Sequence, residues 1–234
     1  MKNKLTAMLP IYIAVLSLFL IAAKGGSKAV TVLSENIPLQ GRQCVVVDAG
    51  HGGEDGGAVS CTGISESKIN LEISLRLTDL LNLLGVKTYM IRTTDCSVYT
   101  EGNTIAARKI SDLKERVRVV NEIQPALLLS IHQNYFGDSR YSGPQVFYGK
   151  SDPSKKLADF MQSVLTSSLA PQNKRDEKNA NGIYLMEHVN CTALLIECGF
   201  LSNSQEEQRL NNPEYQKKLC AVIASVTAQH LSLD

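Results

Sequence analysis

The chain has 234 residues, 44% of them hydrophobic, and a formal charge of +1 from 24 basic and 23 acidic side chains. That is enough apolar material for the core of one ordinary globular domain. The near-neutral balance gives no basis for a nucleic-acid partner, and the chain has no Trp and no internal repeat.

At the N-terminus, Lys2 and Lys4 precede an apolar run from Leu5 to Ala23, closed by Lys24, Gly25 and Gly26. A positive flank, an apolar centre and small residues make an export signal. The run is also close to the roughly 20 residues that cross a bilayer as a helix. No clear A-x-A site follows, so cleavage and retention as a membrane anchor both stand, with Pro10 and Ser17 favouring the signal. Residues 1–24 are therefore expected to meet the membrane at least transiently, and the folded part to work outside it. Residues 25–41 read as a polar linker, and 42–234 as the domain.

From Cys44 the patterns alternate. Cys44 to Asp48 is a β-branched strand. Ser65 to Leu84 sets Ile69, Ile73, Leu77, Leu80 and Leu84 at helical spacing, and Gly85 stops the helix. Val86 to Ile91 is the next strand, and Leu113 to Ile123 a second helix. The continuous apolar run Ala126 to Ile131 follows, then a shorter strand at Gln145 to Tyr148 and a helix from Ser154 to Ser168. "IYLMEH" and "TALLIE" read as two further strands, and Pro213 opens a last helix toward Leu231. Uninterrupted apolar strands alternating with helices predict an α/β domain: a mostly parallel twisted sheet with helices on both faces.

In such sheets ligands gather at the carboxyl ends of the strands. His51 follows the first strand within "VVVDAGHGGEDGGAVS", His132 follows Ala126–Ile131, and Glu197 follows Thr192–Ile196. The glycine run lacks the G-K-[ST] of a phosphate loop, and Asp55 breaks the G-x-G-x-x-G register from Gly50. No H-E-x-x-H is present, and "GISES" is no nucleophile elbow. A mononuclear metal site built from distant segments remains. Zinc accepts imidazole nitrogen and carboxylate oxygen and, in catalytic sites, keeps one open position. His51 and His132 are the candidate imidazoles. Glu66, opening the first long helix, is the favoured carboxylate, with Glu54 and Asp55 as rivals. Asp55 suits better a role holding one imidazole in a single tautomer. Glu197, approached through "ALLIE", is either a desolvated general base or half of a structural ion pair with Arg or Lys.

Together "VVVDAGHGGEDGGA", "SESKINLEISLRL", "IRTTD", "LLLSIHQN" and "LLIECGFLSN" resemble, in order and spacing, the zinc-dependent N-acetylmuramoyl-L-alanine amidases of the amidase-3 family. "ERVRVVNE", "SIHQNYF", "GPQVFYG" and "ECGFLSN" look most like its sporulation-associated, spore-cortex branch. The resemblance implies zinc held by His51, Glu66 and His132, Glu197 as catalytic acid and base, and peptidoglycan as substrate. The polar stretch "PQNKRDEKNANGIYLMEHVNCTA" departs from the family pattern, lacking its Pro before the Glu-bearing strand.

Arg108, Lys109, Lys114, Arg116 and Arg118 read as a solvated helix face, or else as a surface attracting stem-peptide carboxylates or an accessory protein. His188 and His230 are not read as ligands. The six cysteines leave disulfide pairing open. Two other functions compete with the zinc amidase: a cysteine hydrolase using Cys198 with His132, and a non-catalytic peptidoglycan-binding domain.

Overall fold

The computed structural model describes residues 44–233. The expected signal or anchor at 1–24 and linker at 25–41 lie outside the described residues. Within them, no helix is long and apolar enough to cross a membrane.

The elements are β1 (Cys44–Ala49), α1 (Glu66–Leu83), β2 (Lys87–Met90), α2 (Ile105–Ile123), β3 (Leu127–Asn134), β4 (Gln145–Tyr148), α3 (Asp152–Leu169), β5 (Lys178–Asn179), α4 (Tyr184–His188), β6 (Thr192–Phe200), α5 (Ser204–Leu210) and α6 (Pro213–Leu233). They build one six-stranded sheet in the order β2-β1-β3-β6-β4-β5. All pairings are parallel except that of β4 with β6. The expected α/β architecture is the observed one.

Side chains alternate across a strand with period two, and both faces are covered. Val45, Val47, Leu127, Leu129, Leu194 and Ile196 pack with residues of α1, α3 and α6. Val46, Leu128, Ala193 and Leu195 pack with Val120 of α2 and with Leu185 and Met186 of α4. On α1 the residues Ile69, Ile73, Leu77 and Leu81 form a fully buried stripe, each contributing about 1.5–3 kcal/mol by removal from water. Gly85, at φ 83°, ends that helix, its N–H reaching Asn82 O in the left-handed conformation that glycine adopts without strain.

The structure corrects several expectations. Residues 183–188 do not form a strand, and Tyr184–His188 is a helix. Both edges of β6 are already paired, by β3 and β4, and the adjacent Leu185 and Met186 are both buried in one cluster, which a strand's alternation forbids. β3 and β6 run past their apolar runs, so His132 and Glu197 lie inside strands rather than after them. α2 starts at Ile105, with Thr104 Oγ1 capping Ala107 N–H. α5 and β5 are too short for periodicity to reveal.

Arg116 is the largest departure from the solvated face expected of α2. It is buried, and pairs with the equally buried Asp48 of β1 and with Asp112. Burial pushes the Asp48 carboxyl upward, but Arg116 and a hydrogen bond from Ser130 outweigh it and hold the carboxyl below its ordinary 3.8. A depressed carboxylate contributes stability that is complete above its unfolded value and lost as pH falls through the folded value. The pair's own contribution, read as the difference in denaturant unfolding between the parent and Arg116→Leu, is therefore expected to be level above about pH 5 and to decline below pH 4. Arg116→Leu, which leaves Asp48 buried without its partner, should cost about 3–5 kcal/mol at neutral pH. A loss below 1 kcal/mol would contradict this account.

Candidate metal centre

The site begins where β1 ends. Gly50 N–H extends the ladder to Ile131 O (3.0 Å), after which the chain turns sharply at His51, a non-glycine residue at φ 61°. Three consecutive carbonyls at this turn are held by two buried guanidiniums. Arg92 Nε and Arg116 Nη1 both donate to Ala49 O (2.8 and 3.0 Å). Arg92 Nη2 donates to Gly50 O (3.0 Å), and Arg116 Nη2 to His51 O (2.7 Å). A left-handed non-glycine residue costs roughly 1–2 kcal/mol. Hydrogen bonds from charged donors contribute about 1.5–3 kcal/mol each, so the turn is over-determined.

The glycine loop also positions the carboxylate. Its carbonyls at Ala58 and Gly56 accept the N–H groups of Glu66 and Ser67 (2.8 and 3.0 Å), satisfying the first turn of α1. Glu66 is thereby turned inward. Its Oε1 meets His132 Nδ1 (3.0 Å), Gln133 N–H (3.1 Å) and Asn70 Nδ2 (3.1 Å). Its Oε2 meets Ala58 N–H (3.0 Å) and His51 Nε2 (3.3 Å).

One ligand atom from each of His51, Glu66 and His132 lies within 4.8 Å of the others. The three expected ligands converge, and the rivals separate from them. Asp55 takes the orienting place, its Oδ2 on His51 Nδ1 at 2.8 Å and its Oδ1 on Lys109 Nζ at 2.7 Å. Glu54 pairs outward with Arg108 (2.5 Å). Arg108 and Lys109 thus pin the glycine loop, which the sequence did not disclose.

Two glycines leave room for these rings. A Cβ on Gly50 would fall 2.2 Å from His132 Nε2, and one on Gly57 would fall 2.6 Å from Glu66 Oε2 and 2.7 Å from His51 Cδ2.

The electrostatics suit a cation. Burial disfavours a charged His51, but Glu66 and Asp55 outweigh it and raise the imidazole to about 9. Burial likewise opposes ionisation of Glu66, yet the hydrogen bonds from His132 and His51 hold it far below the usual carboxylate range. The cluster demands positive charge, and its two imidazoles and carboxylate are donors that zinc accepts.

Glu197 stands opposite His132 in the β3–β6 register. It makes no ion pair among the described residues, and its Oε2 is sealed from solvent without a partner. Burial raises its carboxyl to about 7, with Glu66 adding to the effect and His132 and His51 opposing it. Cys198, one residue on, faces the opposite cluster, fully buried, with its thiol pushed well above 9 by burial and by Glu197. It cannot meet His132 as an exposed thiolate, as the cysteine-hydrolase reading requires. None of the six cysteines is paired.

Two anchors escaped sequence reasoning. Glu206 of α5 accepts Gly143 N–H (2.8 Å) and Phe200 N–H (2.9 Å). Its neighbour Glu207 accepts from the Ser60 hydroxyl (3.2 Å) and from Thr62. The loop at Gly143 and the turn at Ser60 thus hang on one short helix.

The N-acetylmuramoyl-L-alanine amidase family model (Amidase_3) matches residues 45–228. The germination-specific N-acetylmuramoyl-L-alanine amidase of Bacillus subtilis is 38% identical over 190 residues, covering 80% of this chain and 79% of that protein. The CwlD amidase of Clostridioides difficile, solved in complex with the GerS lipoprotein, superposes with a TM-score of 0.78 at 36% identity, over 82% of this chain and all of that one (100%). A further N-acetylmuramoyl-L-alanine amidase, from Clostridium difficile 630, gives 0.72 at 30% identity, over 82% of this chain and 98% of that one. With sequence and fold agreeing across the whole sheet, the chain belongs to the N-acetylmuramoyl-L-alanine amidase family.

Proposed function

We propose that the chain holds one zinc ion through His51, Glu66 and His132. With it, the chain hydrolyses the amide between the lactyl group of N-acetylmuramic acid and the L-alanine of peptidoglycan, with Glu197 as acid and base. The observation that carries this reading is three ligand atoms within 4.8 Å of one another beside a carboxylate whose Oε2 is buried without a partner. Zinc bound there would retain net positive charge, polarise the scissile carbonyl and acidify a water molecule.

The protein's own groups do the rest. Asp55 accepts the His51 Nδ1 proton and so leaves Nε2 as the ligand atom. Glu197, ionised, takes a proton from the attacking water and passes it to the departing alanine nitrogen. Amines leave poorly unless protonated, so a metal site without this carboxylate would stall. Desolvation brings Glu197 into the range where it can both accept and return that proton. A purely binding domain would have no use for such a group.

The biological setting is part of the same proposal. Residues 1–24 act as an export signal or membrane anchor, residues 25–41 link it to the catalytic domain at 42–234, and that domain works on the cell wall outside the cytoplasmic membrane. The motif resemblance and the germination-specific relative support a role in spore cortex maturation. The relative solved with a lipoprotein supports an accessory protein as partner.

Glu197→Gln is expected to lower kcat on purified peptidoglycan about 10³-fold while zinc content, read by atomic absorption, stays at one ion per chain. His51→Ala should lose the zinc itself, and a chelator should abolish release of new alanine amino termini by the parent enzyme. Full activity after chelation would end the zinc reading. The pH profile gives a separate check. Since Glu197 must be ionised to take the proton, kcat/KM should fall as pH drops through its pKa. Burial places the carboxyl at about 7 and a bound cation would lower it, so the window lies at or below about 7. An acid limb centred outside this window would assign the proton step to another group.

A further inference from the structure

The segment Asn173–Arg175, in the stretch that departs from the family pattern, lies close to the proposed catalytic carboxylate. Gln145 of β4 is directly opposite Glu197 of β6, and opposed residues of an antiparallel pair share one face about 5 Å apart. The buried Gln145 side chain donates to Asp176 O (2.9 Å). One side chain therefore separates Glu197 from the loop that carries Lys174 and Arg175.

That loop is fixed. Asn173 Nδ2 donates to Pro144 O (2.7 Å), and Arg175 Nη1 donates to Ser142 O and Gly143 O. The Arg175 guanidinium lies 4.7 Å from the Phe200 ring centroid and 5.7 Å from that of Tyr141. Between this loop and the segment Asp138–Ser142 opens a cavity of about 550 Å³. Its cations are only partly compensated. Arg140 is occupied by Asp138 (2.6 Å), but Lys174 and Arg175 have no carboxylate partner among the described residues. The acids that follow, Asp176 and Glu177, line a neighbouring depression that Lys174 and Arg175 also border, and neither acid comes within ion-pair distance of them. The buried Glu206, whose Oε2 accepts Gly143 N–H and Phe200 N–H, is felt by Arg175 at a distance without pairing with it, and the exposed Lys174 has no such neighbour among the described residues.

Resting on the amidase reading, we propose that this cavity is a subsite for a carboxylate of the peptidoglycan stem peptide, bound by Lys174 and Arg175. From Glu197 to Phe200 the strand covers about 10 Å, the reach of about three peptide residues. With the scissile alanine nitrogen at Glu197, a carboxylate on the second to fourth stem residue reaches the cavity. The Arg175 Nε and Nη2 groups hold no other hydrogen bond, and a guanidinium edge beside an ammonium matches a carboxylate. The subsite selects the peptide by charge, while the zinc ligands and Glu197 act on the bond.

The test uses the zinc-loaded full chain and two disaccharide-peptide probes, one with free stem carboxylates and one with those carboxylates amidated. Binding is measured on the Glu197→Gln variant, so that turnover does not intrude. The carboxylate probe should bind about tenfold more tightly than the amide, with the gap shrinking as salt is raised. Lys174→Gln in the same background, at an exposed position, should bring the two probes within twofold of each other. Equal affinities for the two probes, or a gap that survives Lys174→Gln, would overturn the subsite. Failure of the parent enzyme to cut either probe or intact peptidoglycan would instead overturn the amidase reading.

Discussion

Arg92 and Arg116, both buried, hold the carbonyls of Ala49, Gly50 and His51 from two directions, and the site depends on that grip. Without it His51 would have little reason to stay left-handed, since the conformation costs energy and the glycines on its far side impose no direction. With it, the imidazole points at Glu66, and the loop beyond offers its own carbonyls to the first turn of α1. The guanidinium charges are themselves compensated, Arg116 by Asp48 and Asp112 and Arg92 by a set of backbone oxygens including Ser67 O. Charge burial is costly, and here it is offset by geometry in which every guanidinium nitrogen donates a hydrogen bond.

Sheet register supplies the second half of the site. In parallel strands the side-chain faces are fixed by pairing, so placing His132 beside Glu197 also sends Gln133 and Cys198 to the other face. There Gln133 bonds Asn70 (3.2 Å) while Cys198 joins the apolar core. Two adjacent residues, Glu197 and Cys198, thus have opposite fates: one kept polar beside His132, the other rendered inert. The Glu197 carboxyl and the His132 imidazole need no loop to bring them together.

The legible parts of the sequence were those written in periodicity or in strand ends. The spacing of Ile69, Ile73 and Leu77 announced α1, although the stripe continues through Leu81 and not through the exposed Leu84, and the apolar runs announced β1, β3 and β6. His51 and His132 could be read because each sits close to the end of such a run, whereas Glu66 rested on its place at a helix start and on the motif resemblance. What stayed hidden depends on partners far along the chain. Arg116 looked like a surface residue because its partner Asp48 is 68 positions away. Residues 183–188 looked like a strand because local composition cannot report that both edges of β6 are taken. α5 is seven residues long, too short for a helical period to show, and its acids gave no local sign of the backbone donors they would meet.

That same helix has a mechanical consequence. Glu206 grips the loop at Gly143 and the end of β6, while Glu207, on the next residue, grips the turn at Ser60 and Thr62. Two segments more than 80 residues apart in the chain are therefore tethered to one short helix. A change that unwinds α5 would release both segments at once, because adjacent carboxylates on one turn hold them.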